Sequence, residues 1–357
     1  MPLNLPNLLH PVADIPHLDR LTPPSAIPGG SFEVTGSSLV KDGVLPEAFF
    51  GETPASLDLA RPTRARIRVP AGAISSDLFL RYRSHGDEVS SNILHANIGV
   101  PMAEELHLTS NPVVDAEGNL FAMVSGPRGE TVPVSIYRIA RDLQITPFVR
   151  GLMNVSALAF NAAGTLFASS RSEGTIYRVT PDGSVTTFAE GMGIATGIAF
   201  DANHNLYVGD RSGTIFKLSP AGEIFVFATL EPSVAFYHLC FAPDGNLLVT
   251  APTTSSNQPI YSIDPDGNTK VYFSGLGRPQ GMAFDVDGNL YVAASLRGDR
   301  GIVRIWKSQT TGEMQAELMV AGNDLVGLCF LDDGCVALAG HTTLFHADLG
   351  IEGKTLI

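Results

Sequence analysis

The chain has 357 residues, and its 36 acidic residues outnumber its 23 basic residues, which gives a formal net charge of -13 at pH 7. Because nucleic-acid phosphates need a basic binding surface, this charge argues against capture of DNA or RNA, and we expect no nucleic-acid partner. Hydrophobic residues make up 44% of the chain, beside 36 glycines and 24 prolines. That composition is typical of an all-β protein with many turns.

Residues 1–18 form a proline-rich lead-in, MPLNLPNLLHPVADIPHL. It has no basic n-region, and proline and polar residues interrupt each apolar stretch. The sequence therefore predicts neither a secretory signal nor a membrane span. We expect a cytoplasmic protein with no membrane insertion.

Residues 19–98 form a region of short β-type runs separated by glycine and proline turns. The clearest runs are residues 31–35, 48–50, 64–69 and 78–82. The stretches PPSAIPGGSFEVTGSSL, FFGETPA, RIRVPAG and VSSN, in this order, resemble the TIG (IPT) type of immunoglobulin-like domain. The resemblance implies an N-terminal immunoglobulin-like β-sandwich.

From Ser110 to the C-terminus one pattern occurs six times: a polar residue, two apolar runs around a turn, and two more strand-like stretches. The turns lie at Gly118, Gly164, His204, Gly245, Gly288 and Gly334, at intervals of 40 to 46 residues. A fixed period of this length is typical of four-stranded propeller blades, which must stack to bury their apolar faces. The sequence therefore predicts a six-bladed β-propeller over residues 99–357.

The repeats align on their first two strands. We expect first strands at residues 112–115, 158–161, 198–201, 239–242, 282–285 and 328–331, and second strands at 120–124, 166–170, 206–210, 247–251, 290–294 and 336–340. The sixth repeat leaves little chain for an outer strand. We expect residues 92–105 to supply that strand and close the ring, with residues 354–357 as the alternative.

The stretches GIAFDANHNLYVGD in the third repeat and GMAFDVDGNLYVAA in the fifth resemble NHL repeats and the related senescence-marker and gluconolactonase group of six-bladed propellers. That group places a Glu, an Asn and an Asp as divalent-metal ligands where this chain has Ser110, Tyr237 and Gln280. All three ligands are missing, so we expect no metal there and no cofactor. A divalent cation is expected only if the protein is an enzyme.

In a propeller the starts of first strands and the ends of second strands lie beside the mouth of the central channel. The alignment places a nearly uncharged set of candidate ligand-binding residues at this end. They are Ser110, Ser156, Thr196, Tyr237, Gln280 and Val326, with Asn111 and His238 one residue further in. The nearest carboxylate is Asp210, at the end of a second strand.

His238 stands where the third and fifth repeats have Gly197 and Gly281, so its imidazole fills space that they leave empty. Imidazole titrates near neutral pH. His238, together with Tyr237 and Arg211, is therefore the candidate catalytic group. The alternative is a hydrogen-bonded histidine that plugs the mouth.

Five arginines follow the second strands. They are Arg128, Arg171, Arg211, Arg297 and Arg300. Arginine presents a permanently charged donor fork to carboxylates and phosphates, so these residues predict a mouth that receives anions. Alternatively, each arginine braces its loop by bonding backbone carbonyls, Asp210 or Asp299.

Two functions are consistent with these patterns. We favour a non-catalytic binding or scaffold protein whose propeller face holds a protein partner or a small anionic ligand, because the metal-ligand set is missing. The alternative is a gluconolactonase-like hydrolase or a lyase with a divergent active site at the channel mouth. Lactone hydrolysis with added divalent cations distinguishes the two.

Overall fold

The computed structural model describes residues 15–40, 43–84, 87–127, 129–253, 255 and 257–354. Most of the proline-rich lead-in, residues 1–14, lies outside this part of the chain. The described residues form β-strands and a single short 3-10 helix, Asp332–Gly334. Among them, no helix has the length and apolar character that crossing a membrane requires. The chain divides into two compact units, with the boundary between Ile98 and Gly99.

The first unit contains short strands that pair antiparallel, except for β2 with β9, which pair in parallel. The strands are β1 (His17–Thr22), β2 (Ser25–Ala26), β3 (Ser31–Ser37), β4 (Glu47–Phe50), β5 (Thr53–Arg61), β6 (Arg64–Arg68), β7 (Ser76–Ser84), β8 (Asp87–Ser90) and β9 (Leu94–Ile98). One sheet has the order β1-β3-β6-β5. β5 continues to pair with β4, β4 with β7, and β7 with both β8 and β9.

The core of the first unit lies between these sheets. Alternate side chains of β3 are buried, as expected for a strand with one face toward a core. Phe32 of β3 and Phe50 of β4 meet with ring centroids 6.0 Å apart. Ile67 and Leu78 are also fully buried. The first unit is therefore an all-β body with its own apolar core.

The second unit contains the remaining strands. Those of the first three repeats are β11 (Val113–Val114), β12 (Leu120–Met123), β13 (Ile136–Ile139), β14 (Ile145–Val149), β15 (Val155–Phe160), β16 (Leu166–Ser170), β17 (Thr175–Val179), β18 (Val185–Ala189), β19 (Ala195–Phe200), β20 (Leu206–Asp210), β21 (Thr214–Leu218) and β22 (Ile224–Thr229). The others are β10 (Val100–Ala103), β23 (His238–Phe241), β24 (Leu247–Thr250), β25 (Gln258–Ile263), β26 (Thr269–Gly277), β27 (Met282–Phe284), β28 (Leu290–Leu296), β29 (Asp299–Lys307), β30 (Met314–Ala321), β31 (Leu325–Phe330), β32 (Cys335–Gly340) and β33 (Leu344–Asp348).

Four separate four-stranded sheets follow the sequence repeats. They are β11-β12-β13-β14, β15-β16-β17-β18, β19-β20-β21-β22 and β10-β33-β32-β31. Strands β23 to β26 and β27 to β30 also pair with their chain neighbours, but β26 additionally pairs with β28, which joins both runs in one larger sheet. The unit is thus a propeller-like arrangement of sheets. The sheets alone do not resolve into the six equal blades that the repeats predict, because of this additional pairing.

The last sheet takes its outer strand from the beginning of the unit. β10 pairs antiparallel with β33, with Val100 opposite His346. The C-terminal end of the described chain instead contacts the fifth repeat, where the Lys354 N–H donates to the Phe284 carbonyl over 2.9 Å. Residues 355–357, which belong to the alternative closing strand, lie outside the described residues.

Aromatic side chains connect four pairs of successive repeats. Phe121 of the first repeat meets Phe160 of the second edge-on at 5.4 Å. Equivalent pairs join the later repeats: Phe167 with Phe200, Tyr207 with Phe241, and Tyr291 with Phe330. Edge-to-face ring pairs at this separation add about 1 kcal/mol beyond the area that they bury. The repeated aromatic position therefore stabilises the stacking of neighbouring sheets.

Candidate functional site

The first strands begin, and the second strands end, at the same end of the repeats because each pair is antiparallel. His238 at the start of β23 pairs with Thr250 at the end of β24, and Ala195 pairs with Asp210 in the same way. We call this end the mouth. It comprises the residues that start the first strands, the loops that precede them, and the turns that follow the second strands.

Hydroxyl groups at the mouth join neighbouring repeats. The Ser169 hydroxyl donates to the Thr196 carbonyl over 2.5 Å, and the Thr196 hydroxyl accepts the Tyr237 N–H over 3.1 Å. The Thr250 hydroxyl donates to the Gln280 carbonyl over 3.0 Å. Thr196, a predicted ligand contact, is thus fully buried and bonded within the protein.

Three other predicted contacts are also buried: Ser110, Ser156 and Val326. The Thr109 hydroxyl donates to the Ser156 carbonyl over 3.3 Å, which joins the first repeat to the second. The Gly281 N–H donates to the Val326 carbonyl over 3.0 Å, which joins the fifth to the sixth. Ser156 and Val326 thus connect sheets, and all three buried positions offer little surface to a ligand.

Asn111 bonds across repeats that are far apart in the chain. Its amide nitrogen donates to the Met282 carbonyl over 2.8 Å, and its amide oxygen accepts the Leu328 N–H over 3.1 Å. The side chain fits because Gly281 and Gly327 lie against it, and a β-carbon at either glycine would collide with the amide oxygen. The side chain of Asn111 therefore joins the first repeat to the fifth and sixth.

Tyr237 lies in the apolar core between the third and fourth repeats, with Val249 in the same cluster. Its hydroxyl donates to the Glu231 carbonyl, and burial raises its pKa to about 12. A β-carbon at Gly209 would collide with the Tyr237 side chain, so the glycine makes room for the ring. The structure therefore gives Tyr237 a packing role and leaves its hydroxyl bonded to the preceding loop, not to His238.

His238 is buried, with 3% of its surface exposed. Within the described chain neither ring nitrogen has a hydrogen-bond partner. Burial lowers its pKa to about 4, so the imidazole is neutral at pH 7 and carries one N–H donor and one acceptor nitrogen. The hydrogen bond that the alternative interpretation of the sequence expected for this ring is not found among the described residues.

Gln280 is half-buried at the start of the fifth repeat. Its backbone N–H donates to the Ala293 carbonyl over 2.8 Å. In the described part of the chain, no hydrogen bond engages its side-chain amide. This predicted contact therefore keeps both amide donors and its acceptor available.

Arg211 and Asp210 hold loops at the mouth. Arg211 donates from one terminal nitrogen to the Val234 carbonyl over 2.9 Å, while its buried Nε has no partner among the described residues. The Asp210 carboxylate accepts the Ile194 N–H over 2.8 Å and the Ser212 hydroxyl. Arg211 therefore braces a backbone carbonyl, as the sequence alternative predicts, yet retains an unpaired donor.

Arg171 contacts loops of two other repeats. A terminal nitrogen donates to the Gly126 carbonyl over 2.9 Å, and the guanidinium carbon lies 5.3 Å from the Phe236 ring centroid. Phe236 precedes His238 by two residues. The Arg171 side chain thus connects the first repeat to the loop that leads into β23.

Among the described residues, Arg297 and Arg300 do not join these contacts. Arg297 and Arg300 are exposed, and Arg297 has a positive φ of 53°. Arg128 lies outside the described residues.

Two residues that the sequence did not identify also lie at the mouth. Ser125 is buried, and its hydroxyl has no partner within the described residues. Asn154 is fully buried with a positive φ of 47°; its amide oxygen accepts the Gly129 N–H over 2.9 Å, and its amide nitrogen donates to the Gly126 carbonyl over 2.8 Å. The sequence signal for Asn154 was an asparagine just before a first strand, since asparagine tolerates a positive φ better than most residues.

The described residues of the mouth contain no cluster of potential metal ligands. Within the described ranges, no three His, Cys, Asp or Glu side chains form a group that could hold a metal ion. Ser110, Tyr237 and Gln280 provide no carboxylate at the positions where the resemblance placed ligands.

Solved structures with similar folds support the propeller-like arrangement. A protein of unknown function from Bacteroides thetaiotaomicron matches with a TM-score of 0.56 and 15% identity, over 94% of this chain and 98% of that chain. A putative gluconolactonase matches with a TM-score of 0.56 and 18% identity, over 71% of this chain and 93% of its own. An auxiliary nutrient binding protein from Bacteroides thetaiotaomicron matches with a TM-score of 0.52 and 13% identity, over 94% of this chain and 98% of that chain.

The second unit has a propeller-like fold. The sequence matches no protein-family model and no curated protein sequence. At these low identities the structural matches show the fold alone, since one propeller fold supports many functions.

Proposed function

We propose that the second unit binds a small anionic molecule at the mouth without catalysing a reaction on it. The observation that carries this proposal is His238, a buried imidazole whose two ring nitrogens have no hydrogen-bond partner within the described residues. Buried polar groups in proteins are nearly always hydrogen-bonded, and a group that lacks a protein partner is a candidate for a bound one. An imidazole N–H in such a place is suited to donate to a ligand oxygen.

The charge at the mouth favours an anionic ligand. Arg211 makes no ion pair with a carboxylate in the described ranges, and its Nε is an unpaired donor. The Ser125 hydroxyl provides another unpaired donor at this end. Hydrogen bonds from guanidinium, hydroxyl and imidazole groups are those that a carboxylate or phosphate accepts.

The chemistry of His238 favours binding over catalysis. A general base works best with a pKa near the operating pH, whereas burial lowers the pKa of His238 to about 4. The Tyr237 hydroxyl, which the sequence analysis named as a catalytic candidate beside His238, donates to the Glu231 carbonyl. The arrangement therefore supplies ligand contacts and lacks an acid–base pair.

Isothermal titration calorimetry tests this proposal with three probes: acetate, gluconate and inorganic phosphate. We expect saturable binding of at least one probe, lost in both His238→Leu and Arg211→Gln. Arg178→Gln is the matched control, because Arg178 is an exposed arginine on the third strand β17, outside the residues assigned to the mouth. The proposal is wrong if folded wild-type protein binds none of the probes, or if His238→Leu binds as the wild type does.

The second candidate is a gluconolactonase-like hydrolase or a lyase, favoured by the fold similarity to a protein described as a putative gluconolactonase. The assay is hydrolysis of glucono-δ-lactone with calcium, magnesium, manganese or zinc. Turnover that disappears in both His238→Leu and Gln280→Ala would replace the binding proposal with this one. A cation is part of the account only in that case.

We also propose two finer features of the fold: six blades in the second unit and an immunoglobulin-like sandwich in the first. Six blades are supported by the hydrogen bonds that join successive repeats and by the bonds of Asn111, which link the first repeat to the last two. Two packed sheets support an immunoglobulin-like sandwich over residues 19–98. A crystal structure that shows the number of blades and the strand order of residues 19–98 tests both features. The cytoplasmic location of the protein stays a prediction.

A further inference from the structure

The outer strand of the third repeat, β22, differs from four of the five other outer strands at an equivalent position. Phe225 pairs with Lys217 of the neighbouring third strand. The residues in this register are Thr146, Thr186, Lys270 and Glu317 in four other outer strands. The fifth, β10, has Val100 there, followed by Pro101. Polar and charged side chains on an edge strand oppose pairing with another chain. β22 lacks this protection.

β22 exposes three consecutive apolar side chains. Ile224, Phe225 and Val226 are 40%, 54% and 67% exposed. No charged residue lies between Ile224 and Thr229. β22 is also the last strand of its sheet and pairs with β21 alone. It is therefore an uncharged, apolar edge.

The outward backbone groups of β22 can be assigned from the hairpin turn. The Ser219 N–H donates to the Glu223 carbonyl over 2.9 Å, which makes this pair a hydrogen-bonded one. Hydrogen-bonded and non-bonded pairs alternate along an antiparallel ladder. The N–H and C=O groups of Ile224 and Val226 therefore point away from β21, where an added strand would meet them.

The first repeat shows how this chain blocks an edge. Pro147 of β14 pairs with Tyr137, and Val226 of β22 pairs with Phe216 in the equivalent register. Proline has no N–H to offer an added strand, and it is tolerated where that N–H faces outward on an edge. The third repeat has valine at this position.

The charges around β22 indicate what could pair with it. Exposed carboxylates, Glu223 and Glu231, lie just before and just after the strand. Within the described residues neither carboxylate forms an ion pair. With a net charge of -13, a second copy of the chain would bring further acidic residues to this edge. An extended segment with basic residues at both ends is electrostatically complementary instead.

We propose that β22 is a docking edge for an extended segment of another protein, apolar in its centre and basic at its ends, which adds as a fifth strand to this sheet. Strand addition of this kind uses backbone hydrogen bonds for affinity and side-chain pockets for specificity. A single added strand buries little area, so the complex is weak and transient. This inference is independent of ligand binding at the mouth.

The probe is a fluorescein-labelled peptide, Lys-Thr-Val-Thr-Val-Thr-Val-Thr-Lys, whose lysines have the sequence spacing of Glu223 and Glu231. Fluorescence anisotropy should show saturable binding to the full chain. Val226→Pro should weaken it by at least about tenfold, equivalent to about 1.4 kcal/mol. Thr187→Pro in β18 is the matched control and should leave it unchanged. Replacing both peptide lysines with glutamate should also weaken binding by at least about tenfold.

Amide exchange provides a second measurement, in which the peptide should protect the N–H groups of Ile224 and Val226. If Val226→Pro fails to fold, Phe225→Lys serves in its place, because Lys270 occupies that register in the fourth repeat. The proposal is overturned if the peptide does not bind, if Thr187→Pro weakens binding as much, or if glutamate-ended peptide binds equally. Peptide-independent dimerisation that Val226→Pro abolishes would assign the edge to a second copy instead.

Discussion

Asn111 and His238 occupy the same place in the first and fourth repeats, where the third, fifth and sixth repeats have glycine. The amide of Asn111 has partners for both its donor and its acceptor in the fifth and sixth repeats. The imidazole of His238 has none within the described chain. Of two polar side chains in equivalent positions, one therefore joins distant repeats, and the other has no partner among the described residues.

The contrast follows from what surrounds each side chain. Asn111 reaches a free carbonyl and a free N–H because Gly281 and Gly327 leave space beside their backbones. Around His238 the described residues place no such partner within hydrogen-bonding reach of the ring. The bond between neighbouring repeats is the same at both places, since the Gly197 N–H donates to the Tyr237 carbonyl over 2.9 Å and the Gly281 N–H donates to the Val326 carbonyl over 3.0 Å.

Asn111→Ala should have the largest effect. It leaves the Met282 carbonyl and the Leu328 N–H without their partner, and each buried unsatisfied group costs about 1–3 kcal/mol. We expect a loss of about 4 kcal/mol in the free energy of unfolding, measured by urea denaturation. Asn203→Ala, at an exposed turn, is the control and should change it by less than about 0.5 kcal/mol. A loss below about 1 kcal/mol for Asn111→Ala would contradict its closing role.

The pH dependence of stability should come next in size. Burial lowers the pKa of folded His238 to about 4, while an unfolded histidine titrates near pH 6.5. Between these values the unfolded state binds the extra proton, so stability rises with pH across this window and about 3 kcal/mol is lost by pH 4.

Urea denaturation at several pH values measures this dependence. The difference between wild type and His238→Leu isolates the one histidine, since the other eight are common to both proteins. If the stabilities of wild type and His238→Leu change in parallel from pH 4 to 6.5, the folded protein does not hold His238 as a buried, neutral imidazole.

His238→Leu should itself change stability at pH 7 by no more than about 1 kcal/mol, in either direction. Among the described residues the wild-type imidazole has no hydrogen-bond partner that the variant would lose, and leucine is buried without a polar cost. Thermal unfolding at pH 7 checks this result. A loss above about 2 kcal/mol would reveal a protein partner for the ring.

Arg171→Met should have an effect of about 1 kcal/mol, because it removes one hydrogen bond to Gly126 and one cation–π contact with Phe236. It should also make His238 easier to reach. Diethylpyrocarbonate modification of His238, followed by mass spectrometry, should be faster in the variant than in Arg178→Met, whose arginine lies on a third strand. Equal rates would mean that Arg171 does not cover this part of the mouth.

The strand pattern of the second unit could be predicted from the sequence. Second strands begin at Leu120, Leu166, Leu206, Leu247 and Leu290, as the repeat alignment predicts, because a strand buried on both faces is a continuous apolar run. The extra pairing of β26 with β28 had no such signal. This pairing depends on how two long strands meet in the folded chain, and no local sequence pattern predicts that.

The candidate site was less predictable because it depends on side-chain direction and distant partners. Tyr237 and His238 are consecutive, and the sequence could place both near the channel but could not tell that the tyrosine ring enters the core between repeats. Asn111 finds its partners 171 and 217 residues away in the chain. Arg211 could be foreseen as either a brace or an anion contact, and the structure gives it a bond to Val234 and an unpaired Nε.

The central claim is that His238 is a neutral imidazole whose ring nitrogens can bind a ligand. Its most direct test is ¹H–¹⁵N NMR of His238 in the full chain, with His238→Leu to assign the signals. The account predicts a neutral ring from pH 5 to 8, and ring nitrogen shifts that change when acetate, gluconate or phosphate binds. A ring that is already protonated at pH 6, or nitrogen shifts that stay fixed while a probe binds to the protein, would contradict it.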